Sequence, residues 1–201
     1  MNDPYQLSQT DEYCNICNWA QYATSIMTDP KAREAHLKDT TELYKELASG
    51  DLPSVSWVKP SGIVDGHPAS SKLILFEGFV KKIVDGLKDN KKLWSHTAIL
   101  ITFDEGGGYW DSGYVQPLDF FGDGTRIPML AVSPFSKGGH ISHTYNDHVS
   151  TDKFIERNWG LRPITSRSRD NLPNPVTDSN PYVPVNSPAL GDMFDMFNFD
   201  Q

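Results

Sequence analysis

The chain has 201 residues, and its 18 Lys and Arg against 26 Asp and Glu leave a net charge of −8 with histidine neutral. That length buries a sizeable core without disulfide stapling, and the acidic balance argues against nucleic acid or an anionic membrane surface as the main partner. No apolar run approaches the ~20 residues of a bilayer crossing, and no basic leader or apolar h-region opens the chain as written, so neither a transmembrane segment nor an export signal is expected.

The first 30 residues are polar and irregular apart from Cys14-Asn-Ile-Cys17. A single C-x-x-C serves as half a zinc site, a redox pair or a local disulfide. No second C-x-x-C completes a zinc site and no strand precedes a redox helix, which favours the structural or disulfide role. Asp29-Pro30 then opens a predicted surface helix that Gly50 ends, with Leu37, Leu43, Tyr44 and Leu47 as its apolar stripe and His36 facing solvent. Leu52 to Pro60 reads as a short strand bracketed by prolines, its β character carried by Val55, Trp57 and Val58. A loop from Ser61 to Pro68 holds His67. A second helix follows, capped by Ser70 or Ser71 and carrying Leu73, Phe76, Phe79, Val80, Ile83, Val84 and Leu87 near a helical period.

Ala98 to Phe103 is the most strand-like run, apolar and β-branched, and it stops at Asp104-Glu105 before three glycines. Strand, crossover helix and strand make a right-handed βαβ unit with parallel pairing, so 98–103 is predicted as a central strand between 54–58 and 129–132. That topology puts the His67 loop and the acid pair at one sheet edge, where α/β proteins bind ligands. Two adjacent carboxylates there suit a hard cation, or simply solvate a turn. The glycines open positive φ and leave room for a ligand or another chain segment. His67 is read as a site residue or as a turn histidine donating to a backbone carbonyl.

The next loop carries Asp111, Asp119, Asp123 and Arg126 among Tyr114, Phe120 and Phe121. Arg126 has two readings, contact with an anionic substrate or a salt bridge to Asp119 or Asp123. A third strand spans 127–134, and Asp147-His-Val-Ser150 leads into a helix that Gly160 stops. His148 either faces the site or belongs only to the helix's first turn. Residues 162–201, rich in proline, are expected to wrap the body as coil and to end in an apolar anchor of Met193, Phe194, Met196, Phe197 and Phe199.

Several of these segments together resemble the bacterial phosphoesterase family that includes acid phosphatases and phosphatidylcholine-hydrolysing phospholipases C. They are Leu52-Pro-Ser-Val-Ser-Trp57, Gly66-His-Pro68, the run 97–111 with Thr-Phe-Asp-Glu-Gly-Gly, Arg126-Ile-Pro through Val132-Ser-Pro134, and Asp147-His-Val-Ser with Phe154-Ile-Glu156. The resemblance implies an α/β fold with part of an alkaline-phosphatase-like sheet, mostly parallel strands with crossover helices, and a long Pro-rich C-terminal coil. It implies one domain over 1–201, the C-terminal part of a larger phosphoesterase domain: 1–50 irregular plus a surface helix, 51–160 the α/β body, 161–201 the wrapping tail. Asp104 and Glu105 resemble the family's paired carboxylate ligands to a divalent metal ion. His67 resembles the histidine that contacts the phosphate or leaving group. A phosphate ester is the implied substrate and a periplasmic or secreted location the implied setting.

The chain departs from the family in lacking a Glu-Asn metal motif and a Ser or Thr nucleophile near a first strand. Thr102, Ser112 and Thr125 lie near the acid pair without a nucleophile's pattern. The expectation is a phosphoesterase that needs its missing N-terminal half or self-associates through an unpaired sheet edge. The competing expectations are a metal- or phosphate-binding module without turnover, and a structural calcium site at Asp104-Glu105.

Overall fold

A computed structural model describes Cys14, residues 17–111 and residues 113–200. They fall into two units, the first ending at Thr97 and the second beginning at Ala98.

The first unit is helical. Cys14 and Cys17 form a disulfide, the local role weighed for this pair. After α1 (Thr24–Met27), the single helix expected between Asp29 and Gly50 is two, α2 (Pro30–His36) and α3 (Thr40–Ser49). Asp29 caps α2 by accepting from the Lys31 N–H, with Pro30 at the first helical position. Leu37 then turns extended, and Asp39 starts a new helix by accepting from the N–H groups of Thr41 and Glu42. An aspartate whose side chain satisfies two orphan donors favours a helix start over a helix interior, which is why the stretch breaks there. Gly50, at φ +87°, ends α3.

Leu43 and Leu47 are the buried stripe of α3, and Leu47 packs beside Gly86 of α4 (Leu73–Asp89). The serine cap expected for α4 does not form: Lys72 occupies the N-cap, and Ser71 Oγ donates instead to the Ile63 carbonyl at 2.6 Å. Asn90 caps the short α5 (Lys91–Trp94) and also donates to the Leu47 carbonyl, tying α3 to the α4–α5 junction.

The expected strand at 54–58 is absent. The segment is irregular, and Val55, Trp57 and Val58 are exposed. β-branched and aromatic residues favour a strand only when a neighbouring ladder receives them, and among the described residues none does. The expected parallel βαβ unit loses its first strand, and with it the argument that set His67 and the acid pair at one edge.

In the second unit, β1 (Ile99–Thr102) pairs with β2 (Met129–Val132) in antiparallel register, Ile99 opposite Val132 and Thr102 opposite Met129. This corrects the expectation of a central parallel strand. The physical reason lies in the connection: the described residues between 103 and 128 carry no helix, and they return the chain alongside β1 in the opposite direction, whereas parallel pairing needs a crossover. The arrangement is α/β-like, mixed helices with a small two-stranded sheet.

Leu100, Met129 and Ala131 pack against a cluster of Phe154, Met193 and Phe197. Phe154 comes from α6 (Ser150–Trp159), which ends at Gly160 with φ +64°. Met193 and Phe197 flank a 3-10 turn, Phe194–Met196, near the chain's end. Two buried polar side chains hold this end to the rest of the unit. Gln116 exchanges two hydrogen bonds with the Ala189 backbone, donating at 2.7 Å and accepting at 2.8 Å. Lys153 Nζ donates to the carbonyls of Leu172 and Leu190 and to Asn174 Oδ1. Burial pushes the Lys153 ammonium below its ordinary range.

Candidate active site

β1 ends at Thr102 because Phe103 leaves the ladder and the chain turns through Asp104 and Glu105 into glycine. Both acids are exposed. Asp104 Oδ1 accepts from the Glu105 N–H at 3.1 Å, and Glu105 Oε2 accepts from the Gly107 N–H at 2.6 Å. Each carboxylate spends an oxygen on its own turn, which fixes the side chains as a pair at the strand end. Gly107 and Gly108 have φ of +62° and +76°, the conformations that the glycine run was expected to supply. Gly106 has a different role, since a Cβ there would stand 2.3 Å from Thr125 Oγ1. It is another chain segment, the lead into β2, that approaches this glycine.

That lead is locked by Arg126. Its Nε and Nη2 donate to the Asp111 carboxylate at 2.8–3.1 Å, and its backbone N–H donates to Asp111 Oδ2 at 2.8 Å. The guanidinium and these backbone donors hold the Asp111 carboxyl well below the usual carboxylate range. The salt bridge expected for Arg126 therefore forms, with Asp111 in place of Asp119 or Asp123. Those two acids belong to Arg169, whose fork donates to both oxygens of Asp119 at 2.6 and 2.9 Å and reaches Asp147 at 3.0 Å, with Asp123 at 3.6 Å. Pairing with Arg169 lowers the Asp119 carboxyl to about 2. Arg169 sits in a Pro-rich stretch with no helical or strand period, and only its position among charged residues in the sequence marks it.

Asp147 connects this hub to the strand end. One of its oxygens receives Arg169 and the other accepts from the Val149 N–H at 2.7 Å, so the turn before α6 is rigid. Between them stands His148, whose Nε2 lies 2.8 Å from the carbonyl oxygen of Phe103, the residue just before Asp104. A carbonyl only accepts, so Nε2 carries a proton. His148 thus stands in the turn that leads into α6, one residue before the Val149 N-cap, and its ring is tied to the residue that follows β1.

His67 lies in the first unit. Its backbone N–H donates to Asp65 Oδ1, and its carbonyl accepts from Ser70 and Ser71. Nδ1 of its exposed ring accepts from the Ala69 N–H at 3.2 Å, which assigns the proton of the neutral ring to Nε2. His67 thus sits in a turn, with its ring accepting a backbone N–H of that turn. Of the candidate hydroxyls, Thr102 Oγ1 donates to the Pro128 carbonyl and Thr125 Oγ1 stands over Gly106, while Ser112 lies outside the described residues. Among the described residues no group of three or more His, Cys, Asp or Glu side chains converges to hold a metal ion. Two carboxylates fall short of the six or so oxygens a hard cation takes, so a metal here would need donors from elsewhere.

A model of the phosphoesterase family matches residues 3–162. The chain belongs to the phosphoesterase family. It is 28% identical over 182 residues to the hemolytic phospholipase C of Pseudomonas aeruginosa, covering 78% of this chain and 25% of that protein. It is 29% identical over 181 residues to phospholipase C B of Mycobacterium tuberculosis, 77% of this chain and 31% of that protein. It is 27% identical over 181 residues to the phosphate-repressible acid phosphatase of Penicillium chrysogenum, 89% of this chain and 41% of that protein. The chain thus spans only a quarter to two fifths of the length of these relatives.

Proposed function

We propose that this phosphoesterase chain carries part of the active site of a metal-dependent phosphoester hydrolase of the acid phosphatase or phospholipase C type, completed by donors and a nucleophile from outside it. The observation that carries this reading is the Asp104–Glu105 pair, fixed by its own backbone at an exposed strand end, in a chain whose relatives are named for phosphoester cleavage. Asp104 and Glu105 would be two of the ligands. A divalent ion bound there would lower the charge on phosphoryl oxygens and help ionise a hydroxyl. His67, with its Nε2 proton, suits delivery of a proton to a leaving oxygen. The Cys14–Cys17 disulfide favours an oxidising compartment, periplasmic or secreted.

The test compares phosphomonoester and phosphatidylcholine hydrolysis by this chain and by the same chain extended upstream, with and without Asp104→Asn and Glu105→Gln. The extended protein should turn over at least ~10³-fold faster. Each substitution should abolish that advantage and weaken divalent binding in calorimetry while the melting midpoint stays put. Full turnover after either substitution would overturn the site assignment, and full turnover by the chain alone would overturn the need for a second part.

A further inference from the structure

Residues Asp119 to Gly122 make a tight turn, closed by the Gly122 N–H on the Asp119 carbonyl at 3.1 Å, and its two central residues are Phe120 and Phe121. These are among the most exposed apolar side chains of the molecule, at 96% and 88%, and they contact each other edge to face at 5.5 Å. Exposed rings on a slack loop would mean little. This turn is gripped at both ends by one residue: Arg169 holds the Asp119 carboxylate with two bonds and donates from Nη2 to the Gly122 carbonyl. The rings are held out in water by a fixed frame.

We propose that the Phe120–Phe121 turn is an anchor that inserts into a zwitterionic lipid surface of phosphocholine type. Three features select that occupant. The first is size: two aromatic side chains offer about 300–500 Å², below the roughly 800 Å² per partner of a stable protein interface, whereas a lipid surface takes up side chains singly. The second is polarity. The Phe121 N–H is satisfied by Asp119 Oδ1 at 2.8 Å and the Gly122 N–H by the turn itself, so the tip can leave water without stranding these donors. The third is charge. Arg169 is already engaged by Asp119, Asp123 and Asp147, Arg126 by Asp111, and the chain as a whole is at −8, which leaves little to draw an anionic surface. The frame also removes the ordering cost of insertion. Only the choice of headgroup rests on the hydrolase reading.

The experiment is co-sedimentation of the chain with phosphatidylcholine vesicles, and with vesicles enriched in phosphatidylserine, for the wild type and the Phe120→Ser/Phe121→Ser double variant. The wild type should partition onto phosphatidylcholine, prefer it to the anionic vesicles, and lose at least about tenfold in partitioning on the double substitution. Its melting midpoint should not fall, because both rings are already in water. A wild type that stays in solution, a variant that sediments equally, a preference for anionic vesicles, or a concentration-dependent dimer that the substitution dissolves would each overturn the proposal. Hydrolysis of a soluble phosphocholine ester by the upstream-extended protein reads the hydrolase assignment separately, since its failure leaves vesicle partitioning intact and the reverse also holds.

Discussion

Two groups of acids in the second unit differ in what they bind. Asp119, Asp123 and Asp147 surround one guanidinium, which holds the 119–122 turn and the turn before α6 in one frame. Asp104 and Glu105 bond backbone N–H groups of their own turn and stay exposed. Those backbone N–H bonds give the Asp104 and Glu105 carboxylates a fixed direction. The Asp119 carboxylate, by contrast, lies in an arginine fork and is directed at a cation of its own unit. The first group is scaffold, and the second is the pair to which the proposed function gives a metal ion.

Breaking the arginine frame should give the largest effect. Arg169→Ala leaves three carboxylates facing one another, and the melting midpoint should fall by roughly 5 °C or more. Arg169→Lys, which keeps the charge but loses the fork, should recover only part of it. Were Asp104→Asn to cost as much as Arg169→Ala, the distinction between the two groups would collapse. Lys153→Met is next. It strands the carbonyls of Leu172 and Leu190 together with Asn174 Oδ1, and chemical denaturation should register a loss of about 2–4 kcal/mol.

A smaller effect is expected at Gly106, where Gly106→Ala sets a methyl 2.3 Å from Thr125 Oγ1 but 3.5 Å from Thr125 Cβ. The destabilisation should therefore be largely relieved by adding Thr125→Ala, and a double variant no better than the single would show that the clash is not the cause. Smallest is a pH effect. Burial first, and then the carboxyl of Asp170, raise Glu156 from 4.5 to about 7. Asp170 is itself buried, with Oδ2 accepting from the Ile164 N–H. The folded protein holds that proton more tightly than the unfolded chain, so its contribution is full below pH 4.5 and is lost as pH rises through about 7. Melting curves of Glu156→Gln should be flatter than wild type across that window.

Local chemistry was legible in the sequence wherever a residue acts on its own neighbourhood. Asp29, Gly50 and Gly160 sit at helix ends as their backbone preferences dictate, and the apolar run at 98–103 forms β1 up to the acid pair. What failed were inferences about partners far along the chain. The segment 54–58 has strand composition and no ladder, the 103–128 connection returns antiparallel, and Arg126 chose Asp111 over two acids that Arg169 had claimed from 50 and 46 positions away. Propensity acts within a turn or two of chain, whereas strand direction and ion-pair choice are decided by which distant segment arrives. The candidate site divides the same way: Asp104 and Glu105 stand out by composition, while the contact of His148 with Phe103 spans 45 positions and has no local signature.

The clasp between Gln116 and Ala189 sets a timetable. Its two hydrogen bonds join positions 73 apart. At synthesis rates of about 5–20 residues per second, roughly 4–15 s separate the appearance of the two partners on the ribosome. Through that interval the amide of Gln116 has only water for company, and the loop beyond Asp111 lacks its inner fastening. The loop around Gln116 is therefore among the last parts of the second unit to mature, and a nascent chain stalled before residue 189 should be cut by protease in the 113–118 loop while β1 is already made.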